Sequence, residues 1–266
     1  MASVEHDGAV LHYEVEGDGP PLLLIMGLGY PMDAWWRVLP WLTERFTTIR
    51  FDNRGVGRTG PGAERPYSIE RMAADALAVM ASQGEDRCHV WGVSMGGLIA
   101  QEIALSSPQS VDRLVLSCTH PGGADAVFSD EVREFLTGRA DLSPREAAEA
   151  SIPFVYADAT DPALIAEDID VRMRIPTTRE GYEGQLLGAS SWRGSGDRLQ
   201  GITAPTLVLH GDADRLVDPR NGRFIADRIP GAEWAEIPGA SHIFWTDQPA
   251  ATREAILGFL SGSPDA

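Results

Sequence analysis

The sequence predicts an α/β fold: a parallel sheet with helices on both faces, interrupted by a helical segment. Three observations carry this prediction. From Pro21 to Cys118, apolar strand-like runs alternate with amphipathic helical stretches. Parallel neighbours need a crossover between them, and a helix supplies it while covering the sheet. The alternation stops at Pro121-Gly122-Gly123, and from Ala124 to Gly196 only helix signals occur. It resumes at Pro205.

Taken in order, Val4 to His6 and Val10 to Glu16 alternate apolar and polar residues around Asp7-Gly8, which predicts a β-hairpin. Pro21 to Met26 is an unbroken apolar run, expected of a strand buried on both faces. Asp33 to Thr43 reads as a helix, with Trp35, Trp36, Leu39 and Leu42 on its inner face. Thr47 to Phe51 is the next strand, and Asp52 to Gly57 a turn-rich loop. Ser68 caps a helix to about Ser82. Cys88 to Val93 is a strand leading into a helix that ends near Leu105, and Arg113 to Cys118 is another buried strand.

Within 124–196, Val127 to Leu136 is a helix candidate with Ser129 near its start. Ser143-Pro144-Arg145-Glu146 is a capping box with proline at the first helical position. Asp161-Pro162 starts a third helix, and Thr177-Thr178-Arg179-Glu180 reads as a second capping box. Gly194-Ser195-Gly196 is the exit hinge. Pro205 to His210 is a strand, Asp218-Pro219 caps a helix to about Ile229, and Ala232 to Ile237 is the last strand. Asp247-Gln248-Pro249 leads a final helix to about Leu260, followed by a frayed tail from Ser261 to Ala266. The expected division is a core of 1–123 and 197–266 with a helical cap of 124–196.

Composition narrows the function classes. The 266 residues carry a net charge of −17, and all 22 basic residues are arginine. Without lysine there is no lysine Schiff base and no P-loop lysine. Such an acidic surface disfavours nucleic acid and anionic membranes. The acidic N-terminus argues against a signal peptide, and no apolar run is long enough to span a bilayer. The two cysteines, Cys88 and Cys118, suit a reducing, cytoplasmic setting. The oligomeric state is left open.

Gly92-Val93-Ser94-Met95-Gly96 matches the G-x-S-x-G elbow, in which a serine sits at a sharp strand-to-helix turn. A serine hydroxyl is a poor nucleophile and needs a base, and the base needs a group to hold its tautomer. In open α/β sheets such groups gather at the carboxyl ends of strands. After the strand ending at His210 come Asp212, Asp214 and Asp218. Asp218 has work as an N-cap before Pro219, and Asp212 stabilises the turn, which leaves Asp214 as the acid. His242, in Gly239-Ala240-Ser241-His242, follows the last strand and is the candidate base. His210 is placed to orient the acid loop. The backbone N–H groups of Met95 and Leu28, the latter in Gly27-Leu28-Gly29, are the expected oxyanion donors. Candidate pocket residues are Leu28, Trp35, Trp36, His120, Phe128, Phe154, Tyr156 and Trp192. Arg172 or Arg174 is the candidate cation for a substrate carboxylate.

These motifs, together with Phe51-Asp52-Asn53-Arg54-Gly55-Val56-Gly57, occur in an order that resembles the α/β-hydrolase superfamily along nearly the whole chain. Within it the chain resembles small bacterial carboxylesterases and 3-oxoadipate enol-lactonase-like enzymes. The resemblance implies an eight-stranded, mostly parallel sheet with a cap between strands six and seven. One departure is Met26-Gly27, where many relatives have His-Gly. The expected activity is hydrolysis of a small-molecule carboxylic ester or lactone through an acyl-enzyme, without cofactor or metal. The alternatives are C–C bond hydrolysis or perhydrolysis by the same triad, and a receptor, lyase or cyclase on the same fold.

Overall fold

The central strands are the most apolar, and that decides where the sheet sits. In the computed structural model, which describes residues 2–60, 62 and 65–262, the eight strands are β1 (Ala2–His6), β2 (Ala9–Glu16), β3 (Pro21–Ile25), β4 (Thr47–Phe51), β5 (Cys88–Val93), β6 (Val111–Ser117), β7 (Thr206–Gly211) and β8 (Glu233–Ile237). They form one sheet in the order β1-β2-β4-β3-β5-β6-β7-β8. The β1–β2 and β2–β4 pairs are antiparallel and all later pairs are parallel. All six residues of β5 and of β7 are buried, as expected where helices cover both faces. The hairpin between β1 and β2 turns through Asp7 and Gly8, both at positive φ. That geometry matches the right-handed twist of the strands.

The helices are α1 (Leu39–Leu42), α2 (Ile69–Ser82), α3 (Met95–Ser106), α4 (Asp130–Gly138), α5 (Pro144–Val155), α6 (Pro162–Met173), α7 (Arg179–Ser191), α8 (Pro219–Ala226), α9 (Phe244–Asp247) and α10 (Pro249–Leu260). Ser68 caps α2 and Asp218 caps α8, each through its side chain. The Ser143–Glu146 capping box is complete at the start of α5. Four helices, α4 to α7, fill the chain between β6 and β7, and no strand occurs there among the described residues. The two ends of this segment touch: Ser195 N–H donates to the Pro121 carbonyl at 2.7 Å, and the Ser195 hydroxyl bonds Gln101 Oε1 at 2.6 Å. No helix among the described residues is long and apolar enough to cross a membrane.

Several local expectations are corrected. Asp33 to Thr43 is not one helix but a 3-10 turn over Met32–Trp35 followed by the single turn of α1. Pro40 has no N–H to bond back to Trp36, so a continuous helix cannot hold there. The second capping box fails by one residue: Thr178 is the cap, and its hydroxyl oxygen accepts from the N–H of Gly181, which has no side chain to reciprocate. Thr177 instead donates to the Gly29 carbonyl at 2.8 Å. Helix α8 stops at Ala226, short of Ile229-Pro230, since the residue before proline disfavours helix. Helix α9 was not anticipated. Of the tail, Gly262 accepts a bond from Arg113 at 2.6 Å, while 263–266 lie outside the described residues. Cys88 and Cys118 are buried and unbridged.

Candidate active site

Ser94 sits where β5 meets α3, at φ 56° and ψ −121°. A side-chain-bearing residue pays strain of about 1–3 kcal/mol in such a conformation, so its surroundings must impose it. They do so by leaving no room. A Cβ on Gly92 would strike the Gly96 carbonyl, and one on Gly96 would strike the Ile25 carbonyl. Ser94 N–H donates to Ser117 O at 2.9 Å, and the Thr119 hydroxyl donates to Ser94 O at 2.7 Å. The turn is thereby tied to β6 and packed on β3. A Cβ on Gly27 would stand 3.0 Å from Ser94 Cβ, so glycine there lets the loop after β3 reach the serine.

Asp214 lies just beyond β7 and is buried. Its Oδ1 accepts from Leu216 N and Val217 N, each at 2.9 Å. Its Oδ2 accepts from His242 Nδ1 at 2.8 Å and lies 3.2 Å from His210 Nε2. Burial alone would raise the carboxyl pKa. The charges of the two histidines and the hydrogen bonds from them outweigh burial and hold the group below the usual carboxylate range. His210 Nε2 also lies 2.9 Å from Val217 O. Both neighbours are acceptors, so this nitrogen carries the proton, and Nδ1 is left buried without a partner. His242, buried on the loop after β8, is fixed as the Nδ1–H tautomer by the carboxylate, which leaves the lone pair on Nε2.

Ser94 and His242 line one cavity of about 390 Å³ between the strand ends and the helical segment, without a direct hydrogen bond between them. Leu28 and Met95 line the same cavity. Among the described residues neither of their N–H groups is taken by a protein acceptor. Met95 is the first residue of α3, where a backbone amide has no intrahelical acceptor, while Gly97 N–H, two residues on, donates to the Ser94 carbonyl at 2.9 Å.

Of the aromatic candidates, His120 and Phe128 line the cavity, their rings edge to face at 4.8 Å. His120 Nδ1 accepts from Gly122 N at 3.1 Å. Burial, with the nearby His242 and His210, pushes the His120 pKa down to about 3. The other aromatic candidates do not line it. Trp35 is fully buried against Trp91 and Trp245, at 4.9 and 5.7 Å between centroids. Trp36 donates to Asp168 Oδ1 at 3.1 Å, on the outer side of the core. Phe154 stands behind the wall, stacked on Phe135 at 4.5 Å. Tyr156 is buried with its hydroxyl 3.2 Å from Asp168 Oδ2. Trp192 packs on Gly122 and donates to Glu102 at 3.2 Å. The wall is instead built largely from Tyr30, Phe135, Leu136, Leu186, Leu187, Ile243 and Trp245. None of these residues is marked in sequence, because nothing local says which face of a packed helix meets a cavity; Leu187 shows itself only in the structure, as an exposed leucine.

The cation candidates also change. Arg172 stacks over Tyr30 at 4.0 Å without lining the cavity, and Arg174 lines a different groove near Trp36. Arg133 and Arg139 are the arginines at the cavity.

Cys118, His210 and Asp214 bring three potential ligand atoms within 4.8 Å of one another. Burial holds the Cys118 thiol well above its ordinary pKa, so it is protonated and bonds to Asp214. With Asp214 already receiving four nitrogen donors, the cluster is better suited to fixing a carboxylate than to holding a metal.

Known proteins agree with this architecture. The chain is 30% identical over 264 residues to RutD of Azorhizobium caulinodans, provisionally named a carbamate hydrolase, covering 96% of each chain. It is 30% identical over 262 residues to BpoC of Mycobacterium tuberculosis, provisionally named a non-heme bromoperoxidase, covering 94% of this chain and 97% of that one. Among solved structures it is similar to the enol-lactonase of Burkholderia xenovorans LB400, with a TM-score of 0.87 at 25% identity over 98% of this chain and 100% of that one. An esterase of Thermogutta terrifontis matches with a TM-score of 0.85 at 26% identity, over 98% of each. The family described as the alpha/beta hydrolase fold matches residues 20–248, and this chain belongs to it.

Proposed function

We propose that the protein hydrolyses carboxylic esters or lactones through an acyl-enzyme, with residues 124–196 as a cap that shapes the pocket. The observation that carries this reading is the strained Ser94 in a cavity shared with His242, whose Nδ1 is held by the buried Asp214. His242 Nε2 takes the Ser94 proton as Oγ attacks the carbonyl carbon. The oxygen that becomes negative is met by the N–H groups of Leu28 and Met95. The imidazolium gives its proton to the leaving alkoxide. A water then loses a proton to His242 and attacks the acyl carbon, returning Ser94 to its hydroxyl form. The gap between Ser94 and His242 closes when substrate excludes water.

The similarity to a named esterase and a named enol-lactonase supports this bond class. The similarity to a named bromoperoxidase favours a second outcome from the same acyl-enzyme: hydrogen peroxide attacks in place of water and leaves as a peracid. Product analysis with and without peroxide separates the two. The free, buried Cys88 and Cys118 fit a cytoplasmic, reducing compartment.

The test is a fluorophosphonate probe and a short-chain ester series. The probe is expected to label Ser94, and Ser94→Ala to lower kcat by at least about 10³-fold while circular dichroism is unchanged. Ester turnover by the variant at the wild-type rate would remove the proposal.

A further inference from the structure

The loop after β3, which carries Leu28, is gripped by side chains from the helical segment. Gly27 to Tyr30 form a turn: Tyr30 N–H donates to the Gly27 carbonyl at 3.3 Å, and Gly29 stands at φ 69°. A trans peptide points its N–H away from its carbonyl. With the Gly27 carbonyl turned toward Tyr30, the Leu28 N–H of the same peptide faces the other way. The point where a Cβ on Gly27 would stand is 3.5 Å from Ser94 Oγ, so this peptide lies beside the serine. Its orientation lasts only while the following peptides keep theirs, and two side chains hold those. Gln185 Oε1 accepts from Gly29 N–H at 2.9 Å, and the Thr177 hydroxyl donates to the Gly29 carbonyl at 2.8 Å.

Gln185 is fully buried, and its other end is anchored. Its Nε2 donates to the Arg54 carbonyl at 2.9 Å, and the Arg54 guanidinium is locked on Asp75 by bonds of 2.6 and 2.9 Å. Gly181, Gly184 and Gly188 share its face of α7 at helical spacing. Added methyls there would strike the Gly55 carbonyl, the Tyr67 ring and the Tyr67 carbonyl. The helix therefore lies directly on the loop after β4, close enough for one glutamine to bridge from Arg54 to Gly29. A buried amide needs both a donor and an acceptor. Gln185 takes both from outside its own segment, and one of them is next to Leu28.

We propose that Gln185 and Thr177 are positioning residues for the reaction: by clamping Gly29 from both sides, they hold the Leu28 N–H on the oxygen that becomes negative. The helical segment then helps to build the oxyanion site as well as the pocket wall. This proposal rests on the Ser94 reading. An oxyanion donor acts because it is already in place when charge develops, and a displaced donor loses that effect. The ground-state carbonyl carries little charge and gains much less from the same bond. Loss of the clamp therefore lowers kcat and spares KM.

The test pairs turnover of a short-chain ester with inhibition by an alkyl trifluoromethyl ketone. Ser94 Oγ adds to the ketone carbon, its proton passes to His242, and the carbonyl oxygen becomes an anion with no leaving group to expel. The methyl ketone of the same chain, not activated for that addition, reports ground-state binding. Gln185→Met, similar in size but without the amide, is expected to lower kcat at least about tenfold, to weaken the trifluoromethyl ketone by a similar factor, and to leave KM and the methyl ketone within about threefold. Thr177→Val is expected to do the same to a smaller extent, and Thr177→Ser, which keeps the hydroxyl, to retain most of the activity. Asp168→Ala, which loosens the same segment away from Gly29, is expected to change both ketones alike. Unchanged kcat in Gln185→Met, equal losses for the two ketones in that variant, or Thr177→Ser as slow as Thr177→Val each overturn the proposal. If Gln185→Met does not fold, the Thr177 pair decides. Turnover undiminished by Ser94→Ala removes the hydrolase reading and this proposal with it, whereas an inactive Ser94→Ala beside a fully active Gln185→Met removes the proposal alone.

Discussion

The strand ends and the helical segment above them build the two halves of one cavity by different means. At the strand ends, each functional group follows a strand by a few residues, and backbone contacts hold it. Ser94 is fixed by glycines that leave no space, and Asp214 by two amides and two imidazoles. In the helical segment the wall is a set of leucines and phenylalanines whose positions depend on how four helices pack. One carboxylate, Asp168 on α6, carries much of the join to the core. It receives Trp36 Nε1, Arg37 Nε and the hydroxyls of Tyr156 and Thr246. On the proposed reading, close contacts at the strand ends hold the reacting groups, and long-range helix packing shapes the pocket wall. The two halves should therefore fail differently.

The sharpest break lies in the strand-end half. In Gly96→Ala the new methyl meets the carbonyls of Ile25, the last residue of β3, and of Met26 just after it, backbone that cannot move cheaply. The elbow must shift, and misplacement by about 1 Å costs on the order of 10²-fold in rate. We expect kcat/KM to fall at least that far, with a stability loss of about 1–3 kcal/mol from overpacking. Full activity with a normal melting temperature would show that the elbow is less constrained than its contacts imply.

The other half should answer more softly. Asp168→Ala strips a shared acceptor from four side chains, at about 2 kcal/mol for charged hydrogen bonds in a partly buried site. Ser94, Asp214 and His242 touch none of these groups. KM is expected to rise several-fold while kcat changes less than threefold, and denaturant unfolding should report the lost stability. An equal fall in kcat with unchanged KM would mean that the two halves are not separable.

The same division explains what the sequence disclosed. Ser94, Asp214 and His242 stand out because an elbow has a steric signature and because the rival acids had identifiable local work. Asp218 does cap α8, and Asp212 does brace a turn, by accepting from Gly239 N at 2.7 Å. The sheet was legible from its apolar runs, and the four helices between β6 and β7 from their caps. The pocket wall was not. Trp35, Trp36, Phe154, Tyr156 and Trp192 are aromatic and near the site, but composition says nothing about which face of a packed helix meets a cavity. Arg139 was missed for the same reason: nothing local distinguishes it from Arg172 or Arg174.

His120 lies on the boundary between the halves and yields the smallest effect. Its pKa is held near 3, against 6.5 for a free imidazole, by burial and by the neighbouring histidines. Between those values the unfolded chain binds a proton at this position and the folded chain does not. Stability therefore rises with pH through that window, is fully present above about 6.5, and is lost on acidification toward 3. The Gly122 N–H that donates to Nδ1 acts in the same direction, since protonation would displace it. His120→Gln keeps an acceptor for Gly122 but does not titrate. Urea unfolding at pH 7 and pH 4.5 should show a stability drop shallower in the variant by on the order of 1 kcal/mol. Equal drops would mean that His120 is protonated in the folded protein, its ring reached by water through the cavity it lines.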